Sequence, residues 1–243
     1  SHLNGKTMKI HGSKILVTGG SLGIGKATAK LLVDGGAAVI ITGRDKDRLA
    51  SAAEETGAIP FTADVAKSED IEKTYQFVRE EWGSLDVLVN NAGIGSQSTH
   101  LTDVTEEDFL NVYKVNVIGA AMMAKYAAQM FKEQQYGNII NIASTAARKG
   151  YERGTVYASS KFALRGMTEC WQAELRRYNV RVMLINPSEV TTAFGNPDRI
   201  ERNVRTNRLR SEEIAHTVKA SLEMDDRGFI PELTVFATNP WGD

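Results

Sequence analysis

Residues 14–18 read Lys-Ile-Leu-Val-Thr and pass directly into Gly19-Gly20-Ser21-Leu22-Gly23-Ile24-Gly25, after which apolar residues recur at helical spacing to about residue 33. A short β-branched run without a polar face must be covered on both sides, and a turn that leads straight into a helix supplies one of the covers. The same alternation continues along the chain. Strands are predicted at 38–42, 59–62, 85–89, 138–143, 180–185 and 229–236, and helices after Asp45 to residue 56, then at 68–82, 106–132, 155–177 and 211–224. Asp45 suits a helix N-cap and Gly83 a helix stop. Strands that alternate with helices imply a parallel sheet, since each crossover lies on one of its faces. The expected class is α/β: a doubly wound Rossmann fold with about seven parallel strands and helices on both faces. No repeat or compositional break divides the chain, so residues 8–243 are read as a single domain, preceded at 1–7 by a remnant of expression.

Charge and cysteine content exclude several kinds of partner. The net charge is -1 among 243 residues. No nucleic acid is expected, because binding phosphates requires an excess of Lys and Arg. No membrane is expected either: the longest apolar stretch, 115–124, is far short of the roughly 20 residues that span a bilayer. The single cysteine, Cys170, excludes an intramolecular disulfide and fits a reducing, cytoplasmic setting. The 4 His are scattered and no cysteines cluster, so no metal site is read.

The glycine turn, from Thr18 through Gly19, Ser21, Leu22, Gly23 and Ile24 to Gly25, lies where a pyrophosphate approaches a helix N-terminus. Its glycines are not spaced as Gly-x-Gly-x-x-Gly, but a turn opening a helix after the first strand is the context that nucleotide binding requires. At the tip of the second strand, an acidic residue would bond a ribose 2′-hydroxyl. Here Thr42-Gly43-Arg44-Asp45 offers an arginine, which favours NADPH and leaves NADH as a weaker substrate. Leu22 occupies the place where a second basic residue would strengthen that preference. Further along, Tyr157 and Lys161 stand four apart on a predicted helix and share a face. Bringing a phenol from about 10 to near 7 takes roughly 4 kcal/mol, and a cation about 4 Å away at an effective dielectric of about 20 supplies a similar amount. Taken alone, the spacing equally suits a tyrosine half in the core beside a solvated lysine.

Together these motifs resemble the short-chain dehydrogenase/reductase family, from about residue 8 to residue 234, and among its members the 3-oxoacyl-acyl-carrier-protein reductases. The family's Thr-Gly-x-x-x-Gly-x-Gly is matched by Thr18 to Gly25, and its Asn-Asn-Ala-Gly by Asn90-Asn91-Ala92-Gly93. The resemblance implies a catalytic set of Asn116, Ser144, Tyr157 and Lys161. It implies cofactor contacts from Asp64, Val65, Asn91, Ala92, Gly93, Tyr157, Lys161, Pro187, Val190 and Thr192. Tyr157 would exchange a proton with the substrate oxygen, Lys161 would lower the phenol pKa and hold the nicotinamide ribose, Ser144 would orient the carbonyl, and Asn116 would hold a relay water. Ser188 stands where the family has glycine, so a positive φ there would be strained. The chain ends without the glycine-rich segment found in many members.

The implied reaction is reduction of a small-molecule ketone or acyl thioester by NADPH. An NAD-dependent secondary-alcohol dehydrogenase and a non-catalytic nucleotide sensor are the alternatives. Gly150, Tyr151, Glu152 and Arg153 are expected to form the pocket wall, and residues 192–210 a lid. Arg199, Arg202, Arg205, Arg208 and Arg210 suit either a carrier-protein face or a solvated surface. The resemblance further implies a homodimer or homotetramer built through the helices at 106–132 and 155–177, with Ala120, Ala121, Ala124, Ala127 and Ala128 allowing close packing.

Overall fold

The computed structural model describes residues 6–191 and 207–241. Thr192, the arginines at 199, 202 and 205, and most of the expected lid lie outside the described residues. The strands are β1 (Lys14–Val17), β2 (Ala38–Gly43), β3 (Ile59–Thr62), β4 (Val87–Asn90), β5 (Gly137–Ile142), β6 (Val180–Pro187), β7 (Val190–Thr191), β8 (Leu209–Arg210) and β9 (Glu232–Val235). The helices are α1 (Gly23–Asp34), α2 (Lys46–Thr56), α3 (Ser68–Trp82), α4 (Glu106–Tyr113), α5 (Ala120–Gln134), α6 (Thr155–Leu175) and α7 (Ser211–Glu223).

Seven strands form one parallel sheet in the order β3-β2-β1-β4-β5-β6-β9, and β7 and β8 pair separately beside it. The order reverses between β1 and β4, the place where doubly wound sheets open a crevice at the carboxyl ends of their strands. Alternate residues of the strands feed two cores. Ile15, Val17, Val39 and Ile41 pack with α1, α2 and α7, whereas Leu16, Ile40 and Leu88 pack with α3 and α5. This two-sided burial is why the inner strands carry no polar face, whereas the edge strands β3 and β9 are only partly buried.

One predicted helix departs from regularity. The segment 106–132 is helical throughout, but Lys114–Gly119 between α4 and α5 is a π-helical turn. Asn116 sits in this turn and is 1% exposed. Its Oδ1 accepts the Ile94 N–H at 2.9 Å, and its Nδ2 donates to the Ile94 carbonyl at 2.9 Å and to Ser160 Oγ at 3.2 Å. Asn90 Nδ2 donates to the Ala120 carbonyl at 2.8 Å, where regular α-helix resumes. Such turns recur at functional sites, and here the widened backbone coincides with an asparagine whose amide is fully engaged inside the protein.

Ser188 is not among the described non-glycine residues with positive φ, so the strain expected of it is absent. The expected alanine seam divides. Ala120, Ala124 and Ala127 are buried within the domain, while Ala121 and Ala128 are more accessible and, with Ala124, line an open groove between α5 and α6. Phe131, 0% exposed, packs against the start of β5, where a Cβ on Gly137 would lie 2.1 Å from its Cγ. Phe131→Ala is expected to lower stability by about 3–5 kcal/mol, as read by the urea midpoint.

Candidate active site

Four chain segments meet at the carboxyl edge of the sheet. They are the glycine turn after β1, the loop after β4, the turn after β5 and the start of α6. Together with the segment after β6 they enclose a cavity of about 900 Å³, within the range of small-ligand sites. Gly19, Ser21, Leu22, Gly23 and Ile24 line it from the glycine turn, and Ser144, Tyr151, Tyr157, Pro187 and Val190 from the segments after β5 and β6 and from α6. Asn91, Ala92, Gly93 and Lys161 line it as well.

The glycine turn is held from behind. Thr18 Oγ1 accepts the N–H groups of Asn91 and Ala92 at 3.0 and 2.9 Å, and Asn91 Nδ2 reaches back to the carbonyls of Thr18 and Gly19, each at 3.2 Å. Gly19 has φ +64, and a Cβ on Gly25 would lie 2.1 Å from the Gly19 carbonyl oxygen, so neither position accepts a side chain. Helix α1 starts without a side-chain cap, whereas Asp45 caps α2 and Thr105 caps α4. A helix N-terminus that lines a cavity without a side-chain cap suits an anion.

The second cluster comes from β5 and α6. Ser144 Oγ accepts the Ala146 N–H at 3.1 Å and also hydrogen-bonds the Tyr157 phenol. Lys161 Nζ lies 5.8 Å from the centre of the Tyr157 ring. The lysine ammonium and Asn116 Oδ1 converge on Gly93, lying 3.4 and 3.5 Å from where a Cβ of that residue would be. Ser160 Oγ donates to the Tyr157 carbonyl at 2.6 Å and links the helix carrying the tyrosine to Asn116.

The electrostatics differ from the sequence expectation. Burial pushes the Tyr157 phenol up to about 12; the Ser144 hydrogen bond opposes this, and Tyr151 adds to it. The lysine does not bring the phenol toward neutrality in the polypeptide by itself. Lys161 is instead lowered to about 8, by burial. Removal from water disfavours both charged forms and outweighs the attraction that the spacing implied.

Other expected residues lie farther out. Arg44 is exposed just past the end of β2 and is not among the residues lining the cavity, although a Cβ on the adjacent Gly43 would lie 3.5 Å from Oγ of the lining residue Ser21. Asp64 Oδ1 accepts the Ala66 N–H at 2.9 Å, and Val65 is buried. Of the predicted wall, Gly150 and Tyr151 line the cavity, while Arg153 lines a smaller neighbouring one. Ile142, Ala143, Thr145, Ala146, Lys149 and Glu189 line the main cavity without having been singled out from the sequence. Their positions flanking Ser144 and Pro187 were the available signal.

Residues 13–203 match the short chain dehydrogenase family. The chain belongs to that family. The 3-oxoacyl-[acyl-carrier-protein] reductase of Thermotoga maritima is 34% identical over 190 residues, covering 76% of this chain and 77% of its own length. An alcohol dehydrogenase from Thermococcus sibiricus, solved with 5-hydroxy-NADP, superposes with a TM-score of 0.84 at 27% identity and covers 95% of this chain and 99% of its own. A 3-ketoacyl-(acyl-carrier-protein) reductase from Brucella melitensis, solved with NADH, gives a TM-score of 0.86 at 27% identity with the same coverage.

As a short-chain dehydrogenase, the protein is an oxidoreductase acting on CH–OH groups with a nicotinamide dinucleotide. The site fits such a group. The glycine turn and the first residues of α1, which has no side-chain cap from its N-cap residue, line the cavity, and Ser144 and Tyr157 bring their hydroxyls to the same cavity.

The depressed Lys161 pKa has a consequence for stability. The unfolded lysine keeps its proton up to 10.5, whereas the folded one releases it near 8. Between those values the unfolded chain binds more protons, so stability rises with pH across the window, and below it the full cost of the buried charge remains. Lys161→Met is expected to raise stability by about 1–3 kcal/mol at pH 7, with the gain gone above the upper value. Urea melts at the two pH values check both the sign and the window.

Proposed function

We propose that the protein reduces a ketone to a secondary alcohol with NADPH, and that Tyr157 is the proton donor. The observation that carries this reading is the convergence of the Ser144 and Tyr157 hydroxyls and the Lys161 ammonium on the cavity that begins at the glycine turn. Bound nicotinamide dinucleotide supplies the hydride. A phenol held near 12 keeps its proton at neutral pH, which suits an acid that protonates a developing alkoxide. Ser144, hydrogen-bonded to the phenol, is placed to orient the carbonyl oxygen. Lys161 stays largely charged at pH 7 even with its lowered pKa, and it would hold the nicotinamide ribose. Asn116 braces the arrangement through Ile94 and Ser160, and its Oδ1 lies on the Lys161 side of Gly93, as a water relay would need. Asn91, Ala92 and Gly93, with Pro187 and Val190, would line the path of the cofactor.

Tyr157→Phe is expected to lower turnover at least 100-fold while leaving the NADPH dissociation constant nearly unchanged. Substantial residual turnover would remove Tyr157 from this role.

Arg44 supports the cofactor preference through its place at the end of β2, exposed and without an ion pair among the described residues. A charge-assisted bond to a 2′-phosphate favours NADPH by roughly ten- to 150-fold. Arg44→Ala should erase most of that ratio in kcat/KM for NADPH over NADH; an unchanged ratio would count against the assignment.

The acyl-thioester form of the substrate draws on the similarity to the Thermotoga maritima reductase. Of the arginines proposed to meet a carrier, Arg208 is engaged by Glu189 at 3.2 Å. A homo-oligomer is proposed through the groove between α5 and α6, where Ala121, Ala128, Trp171 and Tyr178 remain accessible. Light scattering that found only monomer would dismiss this association.

A further inference from the structure

The stretch between Ser144 and Tyr157 contains a small device that the catalytic reading does not use. Residues 151–154 form a turn closed by the Gly154 N–H donating to the Tyr151 carbonyl at 3.1 Å. Arg153 occupies the left-handed region at φ 67, unusual for a side chain of its size. Its Nε donates to His100 Nε2 at 3.1 Å, which ties the turn to the loop after β4. The Gly154 carbonyl then accepts the Ala158 N–H at 2.8 Å in the first turn of α6.

This path folds the Tyr151 ring back over the backbone of Gly154. A Cβ on Gly154 would lie 2.4, 2.6 and 2.7 Å from Cε2, Cζ and Cδ2 of that ring. Gly154 itself has φ -100, so alanine would be acceptable there apart from the ring. Although seated in this way, Tyr151 is 53% exposed and lines the cavity together with Tyr157. The same cavity is lined by the apolar residues Ile142, Ala143 and Ala146. Of the charged lining residues, Lys161 is buried, whereas Lys149 and Glu189 are exposed and Glu189 is engaged by Arg208.

We propose that Tyr151 is a specificity-determining residue whose ring face forms a wall beside the reacting carbonyl and selects ketones carrying a flat apolar group next to it. The inference rests on the carbonyl-reduction reading of the cavity and names its substrate class. A ring already fixed by its own turn loses little freedom when a ligand stacks on it. Offset contact between aromatic faces then adds to the apolar area buried.

Gly154 gives the test an independent handle. Tyr151→Ala removes the ring, whereas Gly154→Ala keeps it but displaces it from its seat, and the exposed ring is free to swing aside. Tyr151→Phe removes only the hydroxyl. The measurement is kcat/KM with NADPH for acetophenone and for 2-butanone, alongside the NADPH dissociation constant of each variant. The wild type is expected to prefer acetophenone. Tyr151→Ala and Gly154→Ala should each lower that preference roughly three- to tenfold, with Tyr151→Phe unchanged and NADPH binding intact throughout. Retention of the preference in either alanine variant, or its loss in Tyr151→Phe, would overturn the ring-face assignment. A wild type that reduces neither ketone with either reduced cofactor would overturn the carbonyl-reduction reading itself, and the Tyr151 assignment with it.

Discussion

One buried hydroxyl holds the centre of the molecule together. Thr18 is 0% exposed, and its Oγ1 takes two backbone N–H groups from the chain leaving β4. That is the point where β1 and β4 send their crossovers to opposite sides of the sheet, just past the end of their backbone pairing. Asn91 completes the join by donating to two carbonyls at the mouth of the glycine turn. Each bond contributes only about 1 kcal/mol net, but a buried partner left unsatisfied costs about 1–3 kcal/mol. The join therefore acts as a unit, and the cavity opens directly above it.

The site above the join is dry enough to penalise either sign of charge. Tyr157 and Lys161 are displaced in opposite directions, and burial is the leading cause for both. A protein selected only for stability would place an apolar residue at 161. The retained lysine is the kind of local conflict with packing that marks functional positions. The neighbouring polar groups are arranged to keep the tyrosine's helix in place: Ser159 accepts the Tyr113 hydroxyl at 2.7 Å, while Ser160 ties to Asn116.

The sheet was legible because its inner strands are apolar on both faces and their punctuation is strong. Gly57 and Gly83 end helices in the left-handed conformation, and Asp45 accepts the Arg48 N–H at 3.0 Å as a cap. That Ser144, Tyr157 and Lys161 would gather around one cavity was legible too, since motif order places them on adjoining elements. What could not be read was the balance of forces within it. A four-residue spacing shows that a lysine and a tyrosine share a helix face, but it does not say how much water surrounds them, and desolvation decided the sign of the Tyr157 shift. The role of Asn91 was hidden for a similar reason: its amide supports the glycine turn from the side, a contact spanning 73 residues of sequence. The two-residue pairing of β7 with β8 was also invisible, being too short to carry a period.

The π-helical turn at Lys114–Gly119 separates the site from the distant core. Such a turn takes up one residue more than the α-helical turn it replaces, so the helix beyond it continues in phase. Met123, Ala127, Met130 and Phe131, all nearly inaccessible to solvent, therefore keep facing the sheet they cover. Gly119 closes the turn, and its missing side chain lets the helix pass the Val65 carbonyl, 2.7 Å from where a Cβ would be. The irregularity that turns Asn116 inward is thus absorbed where it arises. Loss of one residue here would disturb the asparagine and its partners at Ile94 and Ser160 while leaving the packing of the later turns in register.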